Sequence, residues 1–232
     1  MVKIAHRSGP VNFPEQTVKS ALDALRMGAD MVEIDTRFTS DGKIAVCHDS
    51  NAERVFGVNK EIDEMTEDEF RSLRHKDNAL YTSHLLEDYL KAGVKPLLIH
   101  IKEGGERIKI ILNELNRYGY LDDVVIGITE PEDTTTVKNY NKNIPVLAFK
   151  GKNHTCEEYA NAGVDIIRLW EAQTNKESVE EVKKLGKKVW IMTGNTNGYD
   201  VGETSETALK GIISLGVDGV LINDVGMFKK SE

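Results

Sequence analysis

The chain has 232 residues, with 30 Lys and Arg against 38 Asp and Glu, for a formal net charge of −8. That length suits one domain with a sizeable core, and an acidic balance without any Lys/Arg run argues against a nucleic-acid partner. No apolar run approaches membrane-spanning length, no secretory segment precedes the first strand, and two cysteines make no disulfide framework. Together these point to a cytoplasmic protein without stable membrane insertion, and they leave the oligomeric state open.

In chain order, Lys3-Ile4-Ala5 is a short apolar lead that runs into His6-Arg7-Ser8-Gly9, so a strand ends in an imidazole, a guanidinium and a turn. Pro14-Glu15-Gln16-Thr17 reads as the opening of a helix, with Pro in the first turn and the acid near the positive end of the dipole. Val18, Ala21, Leu22 and Leu25 form its apolar stripe, and Gly28 stops it. The next segment, Val32 to Asp49, holds Asp41-Gly42 between two alternating apolar stretches, a strong hairpin signal. A two-residue loop there pairs Ser40 with Lys43 and, counting outward, Asp35 with His48. Strand alternation then gathers Glu33, Asp35 and His48 on one face, with opposed Cβ atoms about 5 Å apart. Two acids and an imidazole so placed suit a divalent cation with a general acid or base beside it.

Residues from about 50 to 93 are charged and turn-rich and read as an inserted region. Thr66-Glu67-Asp68-Glu69 has capping-box spacing, predicting a short helix with Phe70 and Leu73 inward, and Leu85, Leu86, Tyr89 and Leu90 suggest another. His75 and His84 lie here and read as loop or surface histidines, outside the chemistry. Beyond it, strand candidates recur at Lys95–Lys102, Val124–Thr129, Ile144–Phe149, Val164–Trp170, Val189–Thr193 and Val217–Asn223. Helical faces intervene, such as Ile108, Ile111, Leu112 and Leu115, or Val179, Val182 and Leu185, so strand and helix alternate as in a parallel α/β fold. Cys47 reads as a small buried hydrophobe and Cys156 as part of a polar loop near His154, neither with a metal role.

His6-Arg7-Ser8, Pro14-Glu15-Gln16-Thr17, Glu33-Ile34-Asp35, Thr39-Ser40-Asp41-Gly42 and His48-Asp49 match, in order and spacing, the HRG, PENT, ExD, TxDG and HD motifs of the glycerophosphodiester phosphodiesterase family, which the chain resembles. The resemblance is dense over the first fifty residues and thinner to the end, where Gly216–Asp224 is similar to the family's GVDGIITD with Asn223 for Thr. It implies a (β/α)₈ TIM barrel with a small insertion after the hairpin, the whole chain forming a single domain. Under that resemblance Glu33 and Asp35 are metal ligands and His6 and His48 are the catalytic acid/base pair, while the positive charge that a phosphodiester needs falls to Arg7 and Lys102 as substrate-binding residues. The implied cofactor is one divalent ion, Mg²⁺ or Ca²⁺, and the implied reaction releases glycerol phosphate and a small alcohol from a small-molecule phosphodiester.

The chain departs from the family at its ExK motif, where it reads His100-Ile101-Lys102. The third carboxylate is replaced by His100, a candidate third ligand that moves the preference toward Mn²⁺, Fe²⁺ or Zn²⁺. Ser8 stands where the family has Gly, a mild change if the local φ is negative. Met192 stands at the tryptophan of a WTVN-like segment. Trp190 reads as a core residue, while Trp170, beside Arg168 and Glu171, is a candidate replacement for the lost aromatic wall. These departures leave two other readings open. One is a phosphodiesterase for a lysophospholipid or another diester, favoured if Met192 opens the pocket; the other is a catalytically reduced relative that binds a phosphorylated ligand.

Overall fold

The computed structural model describes residues 1–231. The chain begins with β1 (Val2–Ala5), α1 (Val18–Met27) and β2 (Met31–Phe38), followed by β3 (Ile44–Val46). The segment after β3 holds α2 (Glu53–Phe56), α3 (Glu67–Ser72), β4 (Arg74–His75), β5 (Asn78–Thr82) and β6 (His84–Leu85). Strands and helices then alternate: α4 (Leu86–Lys91), β7 (Leu97–Ile101), α5 (Arg107–Arg117), β8 (Val124–Ile128), α6 (Asp133–Tyr140), β9 (Val146–Phe149), α7 (Cys156–Ala162), β10 (Ile166–Trp170), α8 (Lys176–Lys184), β11 (Lys188–Met192), α9 (Glu206–Ser214), β12 (Gly219–Ile222) and α10 (Met227–Ser231).

Strands β1, β2, β7, β8, β9, β10, β11 and β12 pair in parallel in that cyclic order, and β1 pairs with both β12 and β2, which closes a (β/α)₈ barrel. Alternation along each strand sorts the side chains into two cores. Ile4, Leu98, Val125, Leu147, Ile166, Trp190 and Leu221 fill the barrel, while Ile34, Ile99, Ile126, Ile167 and Val220 face the helices. The amphipathic stripes meet that outer layer as their spacing requires; Ile108, Ile111, Leu112 and Leu115 of α5 are all buried. Glycine sets the shape of the interior at two points. A Cβ on Gly219 would come within 2.8 Å of the Trp190 ring, and one on Gly127 would overlap the ring of Phe149. The bare backbone at Gly127 lets Phe149 lie flat inside the barrel. Gly127→Ala is therefore expected to cost about 1–3 kcal/mol of stability through overpacking. Denaturant melts check this, and a variant as stable as the unaltered protein would show that the ring is not confined by Gly127.

The Thr66 capping box and the buried Phe70 and Leu73 agree with the sequence, and with Ala45, Cys47, Phe56, Ile62 and Met65 they make a small separate core over the barrel mouth. The second helix of the supposed insertion behaves differently. Leu86, Tyr89 and Leu90 of α4 join the outer layer of the barrel, so this helix links two barrel strands as its other helices do.

Two local expectations are corrected. Helix α1 begins at Val18 because the Thr17 side chain accepts a hydrogen bond from Ser20 N–H and caps it. Pro14-Glu15-Gln16 thus precedes the helix, and Gln16 adopts φ 56°. The hairpin loop has three residues, since Thr39 N–H donates to Lys43 O at 3.0 Å and Gly42 takes φ 78°. The Thr39 hydroxyl secures the turn by donating to Asp41 Oδ1 at 2.6 Å and accepting from Lys43 N–H at 2.9 Å. The register is accordingly Thr36 with Val46, so Asp35 lies opposite Cys47 rather than His48. A one-residue slip would turn His48 to the wrong face of a continuing strand. Here β3 stops at Val46, and Arg37 Nε donates to His48 O at 3.0 Å, anchoring the chain as it leaves the sheet.

Candidate active site

The carboxyl ends of the barrel strands carry a buried polar cluster. His6 follows β1, Glu33 and Asp35 lie on β2, His100 lies on β7, and Lys102 follows β7. Asp35 is its hub. Its Oδ1 accepts from His100 Nδ1 at 2.9 Å and pairs with Lys102 Nζ at 2.9 Å. Its Oδ2 accepts from Gln16 Nε2 at 2.7 Å and lies 3.9 Å from Arg7 Nε. Burial favours the neutral acid, but Lys102 and the His100 hydrogen bond outweigh it and hold the Asp35 carboxyl well below the usual range. Glu33 responds in the opposite direction. Burial and the neighbouring Asp35 charge push it up to about 8, against the opposing hydrogen bond from Arg7 N–H at 2.7 Å.

His6, Arg7 and Ser8 form a tight turn in which Arg7 has φ 46° and Ser8 φ 70°. The φ at Ser8 is positive, so serine in place of glycine is a strained substitution here; its buried hydroxyl bonds the Tyr89 hydroxyl at 2.9 Å, which helps to hold the turn. His6 Nδ1 lies 2.8 Å from Asn223 Oδ1, and the other end of that amide donates to Val201 O at 3.3 Å. The amide is thereby oriented so that Nδ1–H donates and Nε2 keeps its lone pair. Burial, with the Arg7 charge, brings the His6 pKa down to about 4, so the imidazole is neutral at pH 7. His48 is partly exposed and its Nδ1 lies 2.6 Å from Asp49 Oδ1, while Arg54 pairs with Asp49 and with Glu15, which also holds Arg7. Burial lowers the His48 pKa, against the raising influence of Asp35 and the Asp49 hydrogen bond. His48, His6 and Asp35 are thus within electrostatic reach of one another despite the changed hairpin register.

Glu33, Asp35 and His100 each offer a ligand atom, and these atoms lie within 4.8 Å of one another. The set fits a divalent cation. Because a carboxylate only accepts, His100 Nδ1–H donates to Asp35 and Nε2 carries the lone pair. Burial and the Lys102 charge take the His100 pKa down to about 3, so it is the neutral ligand form.

The motifs themselves did not single out several residues of this cluster. Gln16 occupies a motif position whose function is visible only once its φ aims it at Asp35. Asn223 and Asp49 act as partners of the two histidines, the latter being adjacent in sequence. His75 and His84 stay outside: the first packs its ring 5.0 Å from Phe56 and the second 6.2 Å from Tyr89. Trp190 is core, as its position suggests, and Met192 is also buried inside the barrel. Trp170 borders the same interior at the end of β10. Cys47 is buried and its thiol is pushed up to about 12 by burial and the Asp49 charge, while Cys156 is the buried first residue of α7 rather than part of a polar loop.

A parallel eight-stranded barrel with an acid, imidazole and lysine cluster at the carboxyl ends of its strands is the arrangement of a TIM-barrel enzyme. A model of the Glycerophosphoryl diester phosphodiesterase family matches residues 6–227. A glycerophosphodiester phosphodiesterase of Bacillus altitudinis is 28% identical over 238 residues, covering 95% of this chain and 94% of its own length. Among solved structures, a phosphodiesterase of Oleispira antarctica in complex with the product sn-glycerol-3-phosphate shares the fold at TM-score 0.82 and 18% identity, over 100% of this chain and 96% of that one. The glycerophosphodiester phosphodiesterase of Thermotoga maritima does so at TM-score 0.78 and 20% identity, over 100% and 98%. The chain belongs to the glycerophosphoryl diester phosphodiesterase family and is a phosphodiester hydrolase. No helix among the described residues is long and apolar enough to cross a membrane.

Proposed function

We propose that the protein hydrolyses glycerophosphodiesters to glycerol phosphate and an alcohol, using one divalent cation held by Glu33, Asp35 and His100. The observation that carries this reading is the convergence of those three ligand atoms within 4.8 Å, with Lys102 on the same Asp35 oxygen. The cation would supply positive charge to the non-bridging oxygens, and an imidazole donor beside two carboxylates favours Mn²⁺, Fe²⁺ or Zn²⁺ over Mg²⁺ or Ca²⁺. Glu33, whose carboxyl burial and Asp35 push up to about 8, would have to give up its proton to serve as a ligand.

Arg7 and Lys102 orient the diester and offset the charge that grows on its oxygens during the reaction. The two histidines divide the proton work according to their partners. His6, neutral and presenting Nε2, takes the proton from the nucleophile, which is water or the glycerol 2-hydroxyl. His48, whose Nδ1 is held by Asp49, gives a proton to the leaving alkoxide, against the burial that lowers its pKa. Met192 is buried among the residues that fill the barrel, and a small alcohol is the reading adopted over a lysophospholipid.

The test is release of glycerol phosphate from glycerophosphocholine and glycerophosphoethanolamine by metal-stripped protein after separate addition of Mg²⁺, Ca²⁺, Mn²⁺, Fe²⁺ or Zn²⁺. Turnover is expected with one or more ions and its loss in His48→Ala. Silence with every cation and every glycerophosphodiester would overturn the reading in favour of a phospho-ligand-binding protein.

A further inference from the structure

Arg168 has no role in the chemistry above, yet it lies inside the barrel. It is the inward-facing residue of β10, paired in register with Phe149 on one side and Trp190 on the other. Its guanidinium carbon sits 5.4 Å from the Phe149 ring centre and 4.2 Å from that of Trp170. Phe149 in turn stacks on His100, with centroids 3.7 Å apart and planes 12° from parallel. A continuous stack thus runs from the hub carboxylate through His100, Phe149 and Arg168 to Trp170.

The stack presents a cation without a counter-ion. Arg168 is 4% exposed, and its Nε and Nη1 have no hydrogen-bond partner. Among the described residues no carboxylate pairs with it, although it is within electrostatic reach of both Glu33 and His100. Aromatic faces favour a cation but leave its N–H donors unmet, and buried donors of this kind are normally paired. The aromatic clamp fixes the planar fork, the geometry in which arginine takes a carboxylate or phosphate through two parallel hydrogen bonds. The reacting diester carries one negative charge, which Arg7, Lys102 and a cation already meet. Arg168 is separated from Asp35 by the His100 and Phe149 rings, so its unmet donors remain for a second charged group of the same ligand. His100 in place of an acid makes this side of the site still more positive, so a cationic alcohol such as choline would meet repulsion there.

We infer that Arg168, clamped between Phe149 and Trp170, binds a second anionic group on the substrate, so that this enzyme selects glycerophosphodiesters whose alcohol carries a carboxylate or a phosphate monoester. The inference rests on the diesterase reading proposed above and assigns the substrate class of that same site.

The experiment compares kcat/KM of the metal-loaded enzyme on four diesters. These are glycerophosphocholine, glycerophosphoglycerol, a glycerophosphodiester of glycerate and a glycerophosphodiester of a phosphorylated polyol. Unaltered enzyme is expected to favour the last two over the choline diester about tenfold or more, and the better of them identifies the anionic group as carboxylate or phosphate. In Arg168→Gln the preference should collapse through a higher KM for the anionic diesters, with Arg168→Lys restoring part of it. Preference of the unaltered enzyme for the choline or glycerol diester would overturn the assignment, whatever the variants do. An equal loss on all four substrates in both variants would also overturn it, since that marks a purely structural stack. Absence of hydrolysis on every diester would sink the diesterase reading itself, and this assignment with it.

Discussion

Replacing Asp35 with Asn is expected to lower the stability of the metal-free protein by about 3–5 kcal/mol, the usual result of removing one partner from a buried charge pair. The same change should abolish measurable cation binding. The reason is the number of donors that converge on this carboxylate: His100 Nδ1, Lys102 Nζ and Gln16 Nε2, with Arg7 Nε at 3.9 Å. An amide offers one acceptor oxygen where the carboxylate has two. Its NH₂ must therefore oppose either Gln16 or the His100–Lys102 pair, while Lys102 loses its buried counter-ion. One compensation acts in the opposite direction. The Asp35 charge is among the forces that raise Glu33, so without it Glu33 should ionise at lower pH and supply part of the missing charge, placing the loss toward the smaller figure. Denaturant melts with and without chelator, and calorimetric titration with Mn²⁺, measure the two effects. A variant that melts like the unaltered protein and still binds the ion would mean that Asp35 is not the hub.

The second large effect is on turnover. His6→Gln should lower kcat by roughly 10²–10⁴, the range for removing a positioned general base. It should leave KM little changed, because glutamine can still bond Asn223 but cannot take up a proton. The pH dependence of stability offers an independent check. The folded-state pKa of His6 is about 4, below the 6.5 of the unfolded chain. Between those values the unfolded chain binds more protons, so folding stability falls as pH drops from 6.5 toward 4. The contribution is about 3 kcal/mol, from 1.36 kcal/mol per pH unit. His6→Gln should remove that part of the decline in metal-free protein, so the difference in stability between variant and parent should grow in the variant's favour on acidification. A difference independent of pH would mean that His6 is not buried in its neutral form, and an undiminished kcat would remove it from the chemistry.

Most of the barrel could be read from periodicity, because strand and helix impose different spacings on the same requirement to bury one face. The stripe Ile108, Ile111, Leu112 and Leu115 is buried as read, and five of the six later strands fall within the ranges assigned to them, while β11 begins one residue earlier, at Lys188. The errors occur where a side chain, rather than the pattern of apolar residues, decides the backbone. The Thr39 hydroxyl closes a three-residue loop and shifts the hairpin register by one. Thr17 caps α1 and excludes the preceding motif residues from the helix. Ser8 accepts a left-handed φ against the cost of its Cβ because the turn is held by Tyr89, a residue on a distant helix.

The sequence by itself determined the parallel α/β alternation, the candidate residues His6, Arg7, Glu33, Asp35, His48 and Lys102, and the presence of His100 where the family has an acid, because spacing and residue type are local properties. Only the tertiary structure decided how those residues act on one another. Barrel closure brings Asn223 of the last strand's end to His6 of the first, giving that imidazole its tautomer. It also lays Phe149 over the bare backbone of Gly127 against His100, and leaves Arg168 without a counter-ion behind it. Charge pairing, burial and stacking depend on distances between strands far apart in the chain, and those distances are set when the sheet closes.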